Sequence, residues 1–240
     1  MIGRASTNTS TVGAAPSRQT SSSTRRSSNR LTRGSNSEFS IAKANAILDK
    51  AGWKLGADGI RAKDGKQLKY LYQTSTNGPR QKTQQIVKQS LKKAGIEVEL
   101  KSTISSVFFS SDVANPDTYP HFYADLQMYT TGPTLPDPAL WLQLFLSTEC
   151  AQKANKWQGR NICRWQNAEF NSVYKQASAE LNPVKRAAFI IKLNDLVIEN
   201  VVAIPVVTRP SVAAVGAKLQ AELSGFDSYI WDLANFYMEG

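Results

Sequence analysis

QLKYLYQTSTNGPRQKTQQIVKQSLKKAGIEVELKSTI, residues 67–104, decides the fold. Its first part, QLKYLYQTS (67–75), has the Leu and Tyr content of a strand. GPRQKTQQIVKQSLKKAG (78–95) sets Ile86, Val87, Ser90, Leu91 and Ala94 on one helical face and stops at Gly95. IEVELKSTI (96–104) alternates Ile96, Val98 and Leu100 with Glu97, Glu99 and Lys101, the period of a strand covered on one face. Strand, helix and strand with short joints predict a βαβ unit, a parallel pair with a right-handed crossover. The fold class is α/β.

Upstream, IAKANAILDKAGW (41–53) predicts a short helix with Ile41, Ala44, Ile47 and Leu48 on one face and Gly52 as its end. KLGADGIRAKDGK (54–66) holds glycines at 56, 59 and 65 and two Asp-Gly pairs. It lacks the acid spacing and closing Glu of a calcium loop, so the expectation is a β-turn or hairpin. Downstream, Phe108 and Phe109 fall on a short helix, ADLQMYT (124–130) is a third strand, and GPTLPDP (132–138) is a loop. Asp137 and Pro138 then cap and open a helix carrying Leu140, Trp141, Leu144 and Phe145.

Two longer helices follow. Asn167 caps the first, with Phe170, Val173, Tyr174, Ala177 and Leu181 recurring at three and four; Asn182 and Pro183 start the second, whose apolar stripe runs through Val184, Ala188, Phe189, Ile191, Leu193, Leu196 and Val197. VVAIPVVTRP (201–210) predicts a strand that Pro205 confines to an edge or a bulge, and the last thirty residues form an aromatic, turn-rich closing segment.

The formal charge of +10 is unevenly placed. Residues 1–40 contain six Arg, one Glu, eleven Ser and six Thr, which is half of the net charge in a segment too poor in apolar residues to offset its ordering entropy. This stretch is expected to be a disordered or artefactual low-complexity leader, without the apolar run of a secretory signal. The other 200 residues carry 23 basic and 18 acidic side chains, an ordinary balance that does not single out a nucleic-acid surface. No apolar run reaches the ~18 residues of a membrane span.

Catalytic and metal chemistry find little support. The sole His, His121, and two cysteines cannot supply a four-ligand zinc site. There is no nucleophile motif or glycine-rich phosphate loop, and Asp112, Asp117, Asp125 and Asp137 sit where caps and loop acids sit. The expectation is a non-enzyme with no cofactor. Cys150 and Cys163 fit either a disulfide closing a short loop in an oxidising compartment or two free thiols in a reducing one.

AQKANKWQGRNICRWQNAEF (151–170) interleaves Trp157 and Trp165 with Arg160 and Arg164, which suits stacking on bases, lining a ligand pocket, or stapling a loop to a core. A basic-tailed RNA-binding or interaction protein is the alternative that residues 1–40 leave open.

Five segments in order carry a resemblance: ANAILDKAGWKLGADGIRAKDGKQL, QQIVKQSLKKAGIEVEL, ADLQMYTTGPTLPDP, KWQGRNICRWQNAEFNSVY and LNPVKRAAFIIKLNDLVIENVVAIPVV. Together they resemble the C-terminal half of the extracellular solute-binding proteins of family 5, the dipeptide/oligopeptide-binding class that serves ABC importers. The resemblance implies the C-terminal lobe of a two-lobed, periplasmic-binding-protein-like (type II) fold, a mixed sheet flanked by helices. Residues 41–202 are then the lobe, and 203–240 return toward a first lobe that the resemblance does not place in this chain, so a truncated product is expected.

The resemblance also implies a small solute or peptide as ligand, an importer permease as partner of the intact receptor, a monomer, and a periplasmic or extracellular location. It turns Tyr129, Thr130, Thr131, Gly132 and Thr134, after the third strand, toward the ligand, and it places Trp157, Arg160, Asn161 and Trp165 on a loop near the cleft, some facing ligand and some packing the loop on the helix that begins at Asn167. Peptide binders of the family often carry an Asp in the first of these loops to pair with the ligand's amine. Here Thr134 or Gly132 holds its place, which implies either a ligand other than an ordinary free-N-terminus peptide or a different contact residue, since a buried ammonium needs a carboxylate.

Overall fold

The computed structural model describes residues 38–132, 137–207, 214–222 and 232–240. They divide into two compact units, one of Asn36–Val202 and a second that takes in Ala203–Gly240.

The larger unit opens with α1 (Ile41–Lys50), started by the Ser40 side chain accepting from the Lys43 N–H and followed by Gly52 at φ +88°. Contrary to the expected covered face, α1 buries none of its residues fully, and Ile47 is exposed. Next comes an antiparallel meander of β1 (Lys54–Leu55), β2 (Arg61–Lys63) and β3 (Lys66–Gln67). Asp64 and Gly65, both at positive φ, make the two-residue turn between β2 and β3, the conformation in which Asp-Gly excels.

Arg61 ties these pieces together. Its side chain is buried and donates to the carbonyls of Ala94 (2.9 Å) and Trp53 (2.7 Å), to Asn45 Oδ1 (3.1 Å) and to Asp49. The bond from Arg61 holds the Asp49 carboxyl below the usual carboxylate range.

The βαβ unit forms as expected. β4 (Lys69–Ser75) leads into α2 (Gly78–Lys93), capped by Asn77, and then into β5 (Glu97–Thr103), which pairs with β4 in parallel, Tyr72 opposite Leu100. The buried residue of α2, however, is Gln84, while Ile86 is exposed. The Gln84 amide donates to the carbonyls of Tyr72 (2.8 Å) and Lys101 (3.3 Å), so the helix docks on the sheet through polar bonds that a hydropathy pattern does not register.

After α3 (Ser105–Phe108), β6 (Leu126–Met128) joins the other side of β4, also in parallel, giving the order β5-β4-β6. Gln73 bonds Gln127 (2.9 Å), Thr74 bonds the Met128 carbonyl (2.5 Å), and the Leu71 N–H bonds Asp125 (2.8 Å). All three strands therefore point their carboxyl ends the same way.

Asp137 caps α4 (Pro138–Leu142) and receives two 2.9 Å bonds from Arg186. α5 (Ala168–Ala179) and α6 (Pro183–Glu199), capped by Asn167 and Asn182, form a helical hairpin. Leu142, Phe170, Val173, Ala177, Leu193, Leu196 and Val197 are its buried core. Leu181 and Val184, expected on the apolar faces, are 94% and 78% exposed, and Ala188 is exposed as well. The helices end and begin on either side of Leu181, and the gap at that end is spanned by Arg186 reaching from Asp137 to the Ala177 carbonyl.

In the second unit β7 (Leu219–Gln220) pairs antiparallel with β8 (Tyr237–Met238). The strand expected over 201–210 does not form where the chain is described: 203–207 run without ladder pairing, and Pro205 removes a donor there, while 208–210 lie outside the described residues.

Candidate functional site

The loop between α4 and α5 is built on a small set of backbone contacts. Cys150 and Asn161 form an isolated parallel bridge, with Ala151 N–H to Asn161 O at 3.0 Å and Asn161 N–H to Glu149 O at 2.8 Å. Between them the chain reverses through Lys156 and Trp157, both left-handed at φ 52° and 58°. It then passes so close to residues 149–151 that only a glycine fits. A Cβ on Gly159 would sit 2.6 Å from the Cys150 carbonyl carbon and 2.7 Å from the Ala151 nitrogen.

Asn161 is fully buried inside this loop. Its amide donates to the carbonyls of Leu146 (3.0 Å) and Trp165 (2.8 Å), and its Oδ1 accepts from the Cys163 thiol at 3.2 Å. Trp165 packs edge-on against Phe170, ring centroids 5.2 Å apart, in the helical core. Of the two expected roles, ligand contact and packing on the helix at Asn167, both residues take packing; the Asn161 amide, which also meets the Cys150 sulfur at 3.6 Å, has two carbonyl and two sulfur partners and none left for a solute. Cys150 and Cys163 are free thiols, and burial pushes both up in pKa.

Trp157 has a different setting. Its ring lies 4.5 Å from His121 and 5.7 Å from Tyr123 by centroid, with the Arg164 guanidinium 5.3 Å from its own centroid. Arg164 bonds the carbonyls of Ala151 (2.9 Å), Ile162 (3.3 Å), Phe122 (3.4 Å) and His121, so it locks the 150–165 loop to the segment preceding β6.

These loops line a half-open cavity of about 610 Å³, bounded by residues 109–113, 118–121, 129–131 and 156–160, with Leu144 and Ile162. It opens beside the chain leaving the carboxyl end of β6, where open parallel sheets place their ligands, and its size suits a small molecule. One wall is aromatic: Tyr119 stands 5.9 Å from Phe109 and 5.5 Å from Tyr129. Burial, with smaller contributions from Tyr119 and Cys163, pushes the Tyr129 hydroxyl up to about 12, so that it is a neutral group at any physiological pH. Asp112, Lys156 and Arg160 add charge, and Arg160 is steadied by Gln143 at 2.7 Å.

Of the residues expected to face ligand, Tyr129, Thr130, Thr131, Trp157 and Arg160 thus come together around this cavity. Gly132 is exposed and outside its lining, and Thr134 lies outside the described residues. His121 and Tyr119 had no assigned part, and their sequence signal was the aromatic density of TYPHFY (118–123); Arg164 was marked only by its interleaving with Trp157 and Trp165. Among the described residues no group of three or more His, Cys, Asp or Glu could hold a metal, and no helix is long and apolar enough to cross a membrane.

Residues 3–153 match the family described as bacterial extracellular solute-binding proteins, family 5, middle. The chain belongs to this family. The matched span takes in most of the Ser-, Thr- and Arg-rich first forty residues. Protein XP55 of Streptomyces lividans is 45% identical over 62 residues, 25% of this chain and 11% of that protein.

Among solved structures, the oligopeptide binding protein of Thermus thermophilus, complexed with a pentapeptide, aligns with TM-score 0.57 and 26% identity over 68% of this chain and 29% of its own. The oligopeptide-binding protein AppA of Bacillus subtilis, in complex with a nonapeptide, aligns with TM-score 0.64 and 21% identity over 85% and 38%. This chain therefore spans well under half the length of the proteins it matches. Its architecture is α/β, of the type II periplasmic-binding-protein class.

Proposed function

We propose that this chain contributes a ligand-binding wall to the substrate-binding component of an ABC importer for peptides or a similar small solute, working with its permease in a periplasmic or extracellular setting. The observation that carries the reading is the cavity at the carboxyl end of β6, in which the loop after that strand and the Trp157 loop face one another. Family membership and the peptide-bound relatives support the ligand class.

The aromatic wall takes up apolar parts of the solute, and Thr130, Thr131 and the charged rim orient its polar parts. Neither Gly132 nor Thr134 supplies a carboxylate, so a solute lacking a free ammonium at that end is favoured, and Asp112 is the acid among the described lining residues that an ammonium elsewhere in the solute would meet.

The test uses the full chain and two pools of randomised tripeptides, one with free termini and one acetylated and amidated. Tryptophan fluorescence should change saturably, more strongly with the blocked pool, and Trp157→Ala should weaken binding about tenfold or more, as losing an aromatic anchor does. Equal binding by Trp157→Ala, or no binding to either pool, would overturn the assignment.

A further inference from the structure

His121 is only 3% exposed, yet the site as described gives its ring no task. Nδ1 lies 2.6 Å from the Thr118 hydroxyl, itself buried, and that hydroxyl is also 3.2 Å from the Asn115 carbonyl. A hydroxyl has one proton. Both contacts are satisfied together only if Thr118 donates to Asn115 and accepts from Nδ1–H, and in the neutral ring that tautomer has its lone pair on Nε2.

Nε2 has no hydrogen-bond partner among the described residues and is not sealed off from the surface. The ring lines the cavity. Its orientation is held by tilted ring contacts with Trp157 at 4.5 Å and Tyr123 at 5.5 Å, by the bond to Thr118, and by Arg164 gripping the His121 carbonyl.

We infer that His121 is a specificity-determining residue of the cavity, its Nε2 accepting a hydrogen bond from a neutral N–H donor of the solute, such as a peptide amide. The inference rests on the reading of the cavity as a solute site. A nearly buried acceptor held in one orientation discriminates, because a solute that covers it without offering a donor displaces water and leaves it unpaired. It also complements the preference argued from Gly132 and Thr134, since an amide N–H needs an acceptor rather than a counter-charge.

As the sole His in the sequence, His121 gives unambiguous ring-nitrogen resonances in a ¹⁵N-labelled full chain. The free protein should show Nδ1 carrying the proton, and the blocked tripeptide pool should shift Nε2 saturably. Two variants separate the ring's nitrogens: His121→Asn keeps a group for Thr118 and removes the cavity acceptor, and His121→Gln keeps an acceptor near the Nε2 position. His121→Asn should bind about three- to tenfold more weakly, the value of one neutral hydrogen bond, and His121→Gln within about twofold of wild type.

A proton on Nε2 in the free protein would overturn the inference while the solute site stands. So would tryptophan-detected binding that leaves the imidazole signals unmoved and His121→Asn unimpaired. If neither pool changes the tryptophan signal of the wild type, the site reading fails and the inference goes with it.

Discussion

Replacing Gly159 with Ala probes whether the Trp157 loop is held as closely as the geometry shows. Ordinary carbon contacts lie at about 3.5–4.0 Å. The new Cβ would stand 2.6 and 2.7 Å from backbone atoms of Cys150 and Ala151, so the loop must retreat by roughly 1 Å. Overpacking of this kind costs about 1–3 kcal/mol. The retreat also breaks the Ala151 to Asn161 and Asn161 to Glu149 bonds, each worth about 1 kcal/mol. Partial relaxation limits the total to about 2–4 kcal/mol.

With a urea slope of about 2 kcal/mol/M, the midpoint should fall by about 1–2 M. Gly132→Ala is the control: a Cβ there meets nothing within 4 Å. It should stay within about 0.5 kcal/mol of wild type. Urea titrations followed by tryptophan fluorescence and far-ultraviolet circular dichroism make the comparison. A Gly159→Ala midpoint equal to wild type at unchanged slope, or an equal loss in Gly132→Ala, would refute the reasoning.

Arg61→Ala should lose about 2–4 kcal/mol, because a buried carbonyl and a part-buried one lose a charged donor, and Arg61→Lys should recover little of it; a urea midpoint near that of wild type would contradict this. For Asp137, burial raises the carboxyl pKa but the Ala139 N–H and Arg186 outweigh it, and the net shift is downward. A depressed folded pKa gives stability that is present above the unfolded value and lost as pH falls through the folded one. Asp137→Asn, which keeps the cap acceptor, should therefore cost up to about 1 kcal/mol at neutral pH after solvent screening. That difference should shrink as the pH falls below the ordinary carboxylate range and through the depressed folded value, as urea midpoints measured along a descending pH series would show. The buried thiol of Cys150 and the half-buried thiol of Cys163, both raised in pKa, should react slowly with Ellman's reagent in the native protein and release two equivalents in denaturant; a denatured count of zero would mean that they are joined.

The parts legible in the sequence are those whose signals are local. Caps at Asp137, Asn167 and Asn182 announced three helices, and the change of period between residues 78–95 and 96–104 announced the parallel pair. What escaped depends on what a residue meets across the fold. Gln84 is buried because backbone carbonyls of two strands face it, and Ile86 is exposed on the same helix for want of any cover.

The loop residues show the same limit. Asn161 and Trp157 share a segment and a composition suited to ligand contact, yet one is enclosed by carbonyls and the other stands at the cavity. His121 and Arg164 are 43 residues apart, a pairing no spacing rule anticipates.

The grip of Arg164 has a consequence for how such a pocket can diverge. All of its hydrogen-bond acceptors are main-chain carbonyls, of Ala151, Ile162, Phe122 and His121. Every amino acid carries that oxygen, so the clasp is indifferent to the side chains it holds in place. Substitutions at positions 121–123 can then change what the pocket prefers without loosening its frame, leaving solute choice free to drift across an unaltered scaffold.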